Sequence, residues 1–114
     1  MSQLEIHPGT VAGARCLGLR GELTIHTAPE LRSKILRRLK KRAPNLALDL
    51  TELEMADTAG VATLIEAQER LKENGGKLVL FGLGPRMSQM LEMTRVAGMF
   101  TIVESEHHVA EALE

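Results

Sequence analysis

Apolar residues recur along the chain at two spacings, and the change from one to the other marks out its elements. From Ala28 to Arg42, Leu31, Ile35, Leu36 and Leu39 fall at helical intervals, while Arg32, Lys34, Arg37, Arg38, Lys40, Lys41 and Arg42 lie mainly elsewhere, which predicts an amphipathic helix. Thr27 stands at the N-cap position with a hydroxyl able to accept an orphan amide, and Pro29 fits the first turn, where its missing N–H costs nothing. Val61, Leu64, Ile65 and Leu71 define the buried stripe of a second helix, with Glu66, Glu69, Arg70 and Glu73 on its solvent side. Asn74-Gly75 ends it, because both residues tolerate the left-handed conformation that closes helices.

Between these helices the pattern is that of strands. Ala14 to Arg20 is a short, mostly apolar run leaving through Gly21-Glu22-Leu23, and a strand around Leu4 to His7 precedes it with a weaker pattern. Leu46 to Leu50 alternates too little to be half exposed, so it predicts a central strand covered on both faces. Lys77 to Phe81 is a further strand, Gly82-Leu83-Gly84-Pro85 turns into a third helix from Arg86 to about Thr94, and a strand near Phe100 to Val103 leads to a terminal helix from about Ser105. Alternating strands and helices imply an α/β fold with parallel pairs and covering helices.

Composition narrows the function. The 114 residues, 44% of them hydrophobic, suit one domain over 1–114 with a core of its own. Fourteen Lys plus Arg against 15 Asp plus Glu give a net charge of −1, no field for a polyanion, and the absence of Trp and Tyr removes stacking platforms, so no direct nucleic-acid contact is expected. Cys16 is alone, which excludes a disulfide framework and a thiolate metal cluster and suits a reducing cytoplasm. The N-terminus does not read as a leader, and no apolar run approaches the roughly 20 residues of a membrane span, so neither export nor membrane insertion is expected.

The candidate chemistry centres on Asp57-Thr58-Ala59-Gly60. Such a tetrapeptide also occurs where a GTPase meets its nucleotide, but a GTPase needs a GxxxxGK[ST] loop to cradle phosphates. Gly75-Gly76-Lys77 and Gly82-Leu83-Gly84-Pro85 have neither the spacing nor the following hydroxyl. Lying between a buried strand and a helix, Asp57 or Thr58 can instead cap the helix, and a tight turn at Ala59-Gly60 lets the backbone leave. A phosphate on Thr58 would meet the free amides and positive end of that helix, opposed by Asp57; the plainer reading is that Thr58 only caps.

The stretch from Leu50 to Val61, Asn74-Gly75-Gly76-Lys77-Leu78-Val79-Leu80, Gly21-Glu22-Leu23, and Pro85 with Leu91-Glu92-Met93-Thr94 resemble, in order and spacing, the STAS domain family, especially bacterial anti-sigma factor antagonists. The resemblance spans nearly the whole chain and implies a single STAS-like domain: a mixed β-sheet of about five strands with about four covering α-helices. It also implies a substrate and switch rather than an enzyme. A partner that is both anti-sigma factor and serine/threonine protein kinase would phosphorylate Thr58; the unphosphorylated form would bind that partner and free a sigma factor, and a phosphatase would reverse the modification. Thr24, His26, Asp57, Thr58, Ala59 and Gly60 are the implied partner-binding residues. No cofactor and no metal is implied. Many members carry Ser where Thr58 stands, and Asp directly after Gly-Glu-Leu where this chain has Thr24. Small STAS subunits of bacterial phospholipid-trafficking ABC transporters also resemble the chain, so an adaptor on a transporter ATPase is the alternative.

The remaining polar and sulfur residues read more simply. His107 and His108 are adjacent, and side chains one apart on a helix diverge, so they do not form a metal-gripping pair. His26 has no Ser or Cys partner with a carboxylate to orient it, which leaves it an interface residue. Met87, Met90, Met93 and Met99 read first as core packing and second as an adaptable surface, and Arg37 to Arg42 as a solvated basic face able to meet acidic lipid or an acidic partner.

Overall fold

Two successive residues with positive φ, Ala12 (53°) and Gly13 (78°), fold the start of the chain back on itself. That twist matches a two-residue hairpin, and it joins strands β1 (Leu4–Val11) and β2 (Ala14–Leu23) in antiparallel register from Val11 opposite Ala14 to Leu4 opposite Gly21. The computed structural model describes residues 3–40 and 44–114. β1 runs four residues further than its sequence pattern predicts. Pro8, Gly9 and Thr10 are exposed at the edge of the sheet, where a residue without an amide is tolerated and no apolar signal is required.

Three more strands extend the sheet in chain order β1-β2-β3-β4-β5: β3 (Leu46–Ala56), β4 (Leu78–Phe81) and β5 (Thr101–Val103). The β2–β3, β3–β4 and β4–β5 pairs are parallel, which makes the sheet mixed as expected. β3 is more than twice the length predicted from Leu46 to Leu50. Its second half, Thr51 to Ala56, keeps pairing with β2 through register shifts near Gly18 and Gly21, while β4 pairs only with Leu46 to Asp49. The ends of β2 and β3 therefore project past β4 together, with Leu23 opposite Ala56.

Helices α1 (Ala28–Arg38), α2 (Thr58–Glu73) and α3 (Pro85–Met93) pack on one face. Leu31 and Ile35 of α1, Val61, Leu64, Ala67 and Leu71 of α2, and Met87 and Leu91 of α3 close on Leu19, Leu23, Leu46, Leu48, Leu50 and Leu80 of the sheet. Each fully buried leucine contributes about 1.5–3 kcal/mol, so this layer carries most of the stabilisation. The short α4 (Val109–Ala112) lies on the opposite face, with Val109 against Cys16, Ala47, Val79 and Phe81. The apolar runs of β3 and β4 are thus covered on both sides, as their composition demands.

Several boundaries differ from the sequence reading. α1 stops at Arg38; the amides of Leu39 and Lys40 still reach the carbonyls of Ile35 and Arg37, and Lys41 and Arg42 lie outside the described residues. Ile65 is half-buried, at the margin of the α2 stripe. The terminal helix begins as a 3₁₀ turn, Glu106–His108, and becomes α-helical only at Val109. Among the described residues no helix is long and apolar enough to cross a membrane.

Candidate functional site

The projecting ends of β2 and β3 deliver two connections to the same place: the loop from Thr24 to Thr27, which enters α1, and Asp57, which enters α2. Asp57 is the cap that the sequence assigned to either Asp57 or Thr58. Its Oδ1 accepts the Gly60 amide at 2.8 Å, and its Oδ2 accepts the Ile25 amide of the other loop at 3.0 Å. Its own amide donates to the Leu23 carbonyl at 3.1 Å. Burial pushes this carboxyl up, but the amides of Gly60, Ile25 and Ala59 outweigh it and hold the acid below its ordinary value. Asp57 is therefore an anion at neutral pH, spent on fixing two loops together.

Thr58, the first residue of α2, is exposed and takes no part in the cap. Of the amides that a phosphate there was expected to find free, that of Gly60 is already answered by Asp57. Gly60 is buried in the first helical turn and is not a turn residue as the sequence suggested. A Cβ on it would lie 2.2 Å from the Leu23 carbonyl oxygen, so only glycine lets the end of β2 touch α2. Ala59 is half-buried beside it.

The facing loop is built on hydroxyls. Thr27 occupies the N-cap position of α1 without capping it. Its hydroxyl accepts the Thr24 amide at 2.8 Å and donates to the Glu22 carbonyl at 2.8 Å, which closes the loop before the helix begins. Thr24 is only 6% exposed, and its hydroxyl accepts the His26 amide at 3.2 Å. Thr24 thus acts on the loop's shape, while His26 is exposed. Ile25 escaped the sequence reading, yet it is 64% exposed next to the Asp57 clasp. An apolar residue inside the polar run Thr24-Ile25-His26-Thr27 was the available signal.

Other candidates fall away from this turn. Met87 is core and Met90 half-buried, whereas Met93 (72%) and Met99 (44%) are exposed, so packing accounts for only part of the methionine set. His107 and His108 are exposed, with His108 Nδ1 3.2 Å from the Ser105 hydroxyl. Among the described residues no three His, Cys, Asp or Glu converge as a metal site. Burial first, and then the neighbouring Asp49, raises the Cys16 thiol above its ordinary value, so it is a neutral core residue.

A mixed five-stranded sheet with three helices on one face presents an exposed, helix-opening threonine beside two loops that Asp57 clasps together, and these features define a small α/β module. The chain belongs to the STAS domain family, whose model, described as "STAS domain", matches residues 2–110. An anti-sigma-B factor antagonist of Listeria monocytogenes is 30% identical over 86 residues, spanning 75% of each chain. The crystal structure of an anti-sigma factor antagonist from Mycobacterium paratuberculosis superposes with a TM-score of 0.85 at 21% identity, over 97% of this chain and 94% of that one. The structure of the Bacillus cell fate determinant SpoIIAA in its phosphorylated form superposes with a TM-score of 0.69 at 18% identity, over 96% and 99%.

Proposed function

We propose that the protein is an anti-sigma factor antagonist that works as a phosphoswitch. In its unphosphorylated form it sequesters an anti-sigma factor that is also a serine/threonine kinase, and Thr58 is the residue that kinase modifies. The observation that carries this reading is an exposed hydroxyl at the first position of α2, beside an ionised Asp57 whose two oxygens are both engaged. A rigid, exposed hydroxyl suits a kinase. The relative of known role in Listeria monocytogenes and the solved phosphorylated Bacillus protein support the same reading.

The switch follows from charge. A phosphate carries about −1.5 to −2 at neutral pH, and here it would stand next to a carboxylate that already takes the Gly60 amide. The modification therefore adds this charge to a turn that already carries the Asp57 anion, and an interface that desolvates the turn rejects the sum. A phosphatase restores the binding form, and the chain itself catalyses nothing. Incubation with the anti-sigma factor kinase and ATP should add one phosphate, mapped by mass spectrometry to Thr58. Labelling confined to Ser88, Ser105 or another hydroxyl would overturn the assignment.

A further inference from the structure

An open groove of about 650 Å³ runs along the outer side of the α1–α2 pair and begins at the candidate site. Its floor is apolar, formed by Ile25, Ala28, Leu36 and Ala59, and cations stand along it: Arg32, Arg37 and Lys40. Arg32 is already committed, its Nε 2.7 Å from Glu66, whose other oxygen holds Arg70 at 3.1 Å. Arg37 and Lys40 are exposed at the far end. Arg37 lies nine positions along the helix from Ala28, about 13.5 Å at 1.5 Å per residue. The groove thus has an apolar mouth shared with Ala59, immediately after Thr58, and a cationic end about two and a half turns away.

The geometry points to this groove as the docking site for an acidic amphipathic helix of the partner protein, its apolar stripe on Ile25, Leu36 and Ala59 and its carboxylates at Arg37 and Lys40. A trough between two helices is the shape that accepts a third helix through residues spaced three and four apart. Lining that holds no carboxylate, with Arg37 and Lys40 in no ion pair among the described residues, selects an acidic rather than a basic occupant. An anionic membrane fits less well. Its attraction is about 1 kcal/mol per surface Lys or Arg, so the groove's own Arg37 and Lys40 give a weak hold, and a concave floor cannot enter a bilayer. This inference rests on the phosphoswitch reading only for which protein delivers the helix.

The test needs no knowledge of that protein. The ¹⁵N-labelled full chain is titrated with a stapled helical peptide bearing a leucine stripe flanked by glutamates, and with the same peptide carrying lysines in place of the glutamates. The acidic peptide should shift the amides of Ile25, Leu36 and Ala59, the lysine peptide should not bind, and the double variant Arg37→Glu, Lys40→Glu should lose roughly tenfold in affinity, a loss that shrinks with added salt. Ile25→Ser, at an exposed position that leaves the fold intact, should weaken binding as well. Binding by neither peptide, equal binding by both, or shifts confined to another face would overturn the inference, as would capture by phosphatidylglycerol vesicles without capture of the acidic peptide. Phosphorylation of Thr58 by a kinase in the absence of peptide binding would remove the groove alone; peptide binding with no phosphate on Thr58 would remove the switch alone.

Discussion

Asp57 and Ile25, 32 positions apart, are joined by a 3.0 Å hydrogen bond from the Ile25 amide to the Asp57 carboxylate, whose other oxygen caps α2 through Gly60. One side chain thus sets the distance between the loop that enters α1 and the turn that carries Thr58. Asp57→Ala removes a cap and a loop tether together and should cost about 1–3 kcal/mol. Asp57→Asn keeps one acceptor and should cost less. Urea melts should show the midpoint falling in that order with the slope unchanged; a wild-type midpoint for the alanine variant would contradict the clasp.

Stability should fall in acid by a route that these contacts define. Asp57 is held below its ordinary value by backbone amides that outweigh burial, and Glu66 by its hydrogen bond from Arg32, with Arg70 adding to it. A carboxyl whose folded pKa lies below its unfolded one stabilises the fold above the unfolded value and ceases to do so as pH drops through the folded value. The loss therefore begins near pH 4, where unfolded Asp and Glu titrate, and continues downward. Unfolding free energies measured from neutral pH into acid should show this decline, and the double variant Asp57→Asn, Glu66→Gln should show a flatter one. Parallel curves would mean that other groups govern it.

Gly60→Ala should be among the costliest single-methyl additions in the protein. The new Cβ meets a carbonyl oxygen of β2, which moves only if the strand end or the helix moves, at about 1–3 kcal/mol. Gly98→Ala, where nothing lies within 4 Å, is the matched control and should stay near wild type. Thermal melts that rank the two equally would remove the close approach as an explanation.

Thr27→Val keeps the shape of a buried side chain and deletes its hydroxyl. The Thr24 amide and the Glu22 carbonyl would each lose a 2.8 Å partner, a penalty of about 1–3 kcal/mol for unsatisfied polar groups. Amide exchange should quicken at Thr24 and Ile25 before it does in the core. Unchanged protection in that loop would show that its shape is set elsewhere.

At Thr58 the expectation concerns binding instead of stability. Asp57 holds the cap, so Thr58→Ala, Thr58→Asp and Thr58→Glu should each stay within about 0.5 kcal/mol of wild-type stability. Calorimetric titration with the isolated partner should then separate them. The alanine variant binds, while a second carboxylate beside Asp57 weakens the complex by about 1–3 kcal/mol. Equal affinity for all three would place this turn outside the interface.

How much of this was legible depended on whether a signal was local. Val61, Leu64 and Leu71 face the core because one helical period places them together, and the buried run Leu46 to Leu50 was visible as composition. β1 and the second half of β3 were not. At a sheet edge Pro8 and Gly9 need only backbone pairing, and Thr51 to Ala56 breaks strict alternation, with Thr51 and Glu52 both exposed. At the site, the Asp-Thr pair at a helix start could be read directly. The choice of Asp57 as the cap could not, because its second acceptor serves a residue from another loop. The capping role expected of Thr27 was lost to a competing pair, the Thr24 amide and the Glu22 carbonyl, which its hydroxyl bonds at 2.8 Å each.

The strand order of the sheet bears on how the chain acquires its shape. Every strand lies beside the one made just before it, so no strand must wait for a distant segment or thread between two others. The hairpin of β1 and β2 closes through two residues, and each later addition spans one helical connection, which keeps the entropy of closure small at every step. As the ribosome releases it from the N-terminus, the chain meets a growing edge already waiting for the next strand. The turn bearing Asp57 and Thr58 is complete once α2 has emerged, before the last two strands are synthesised.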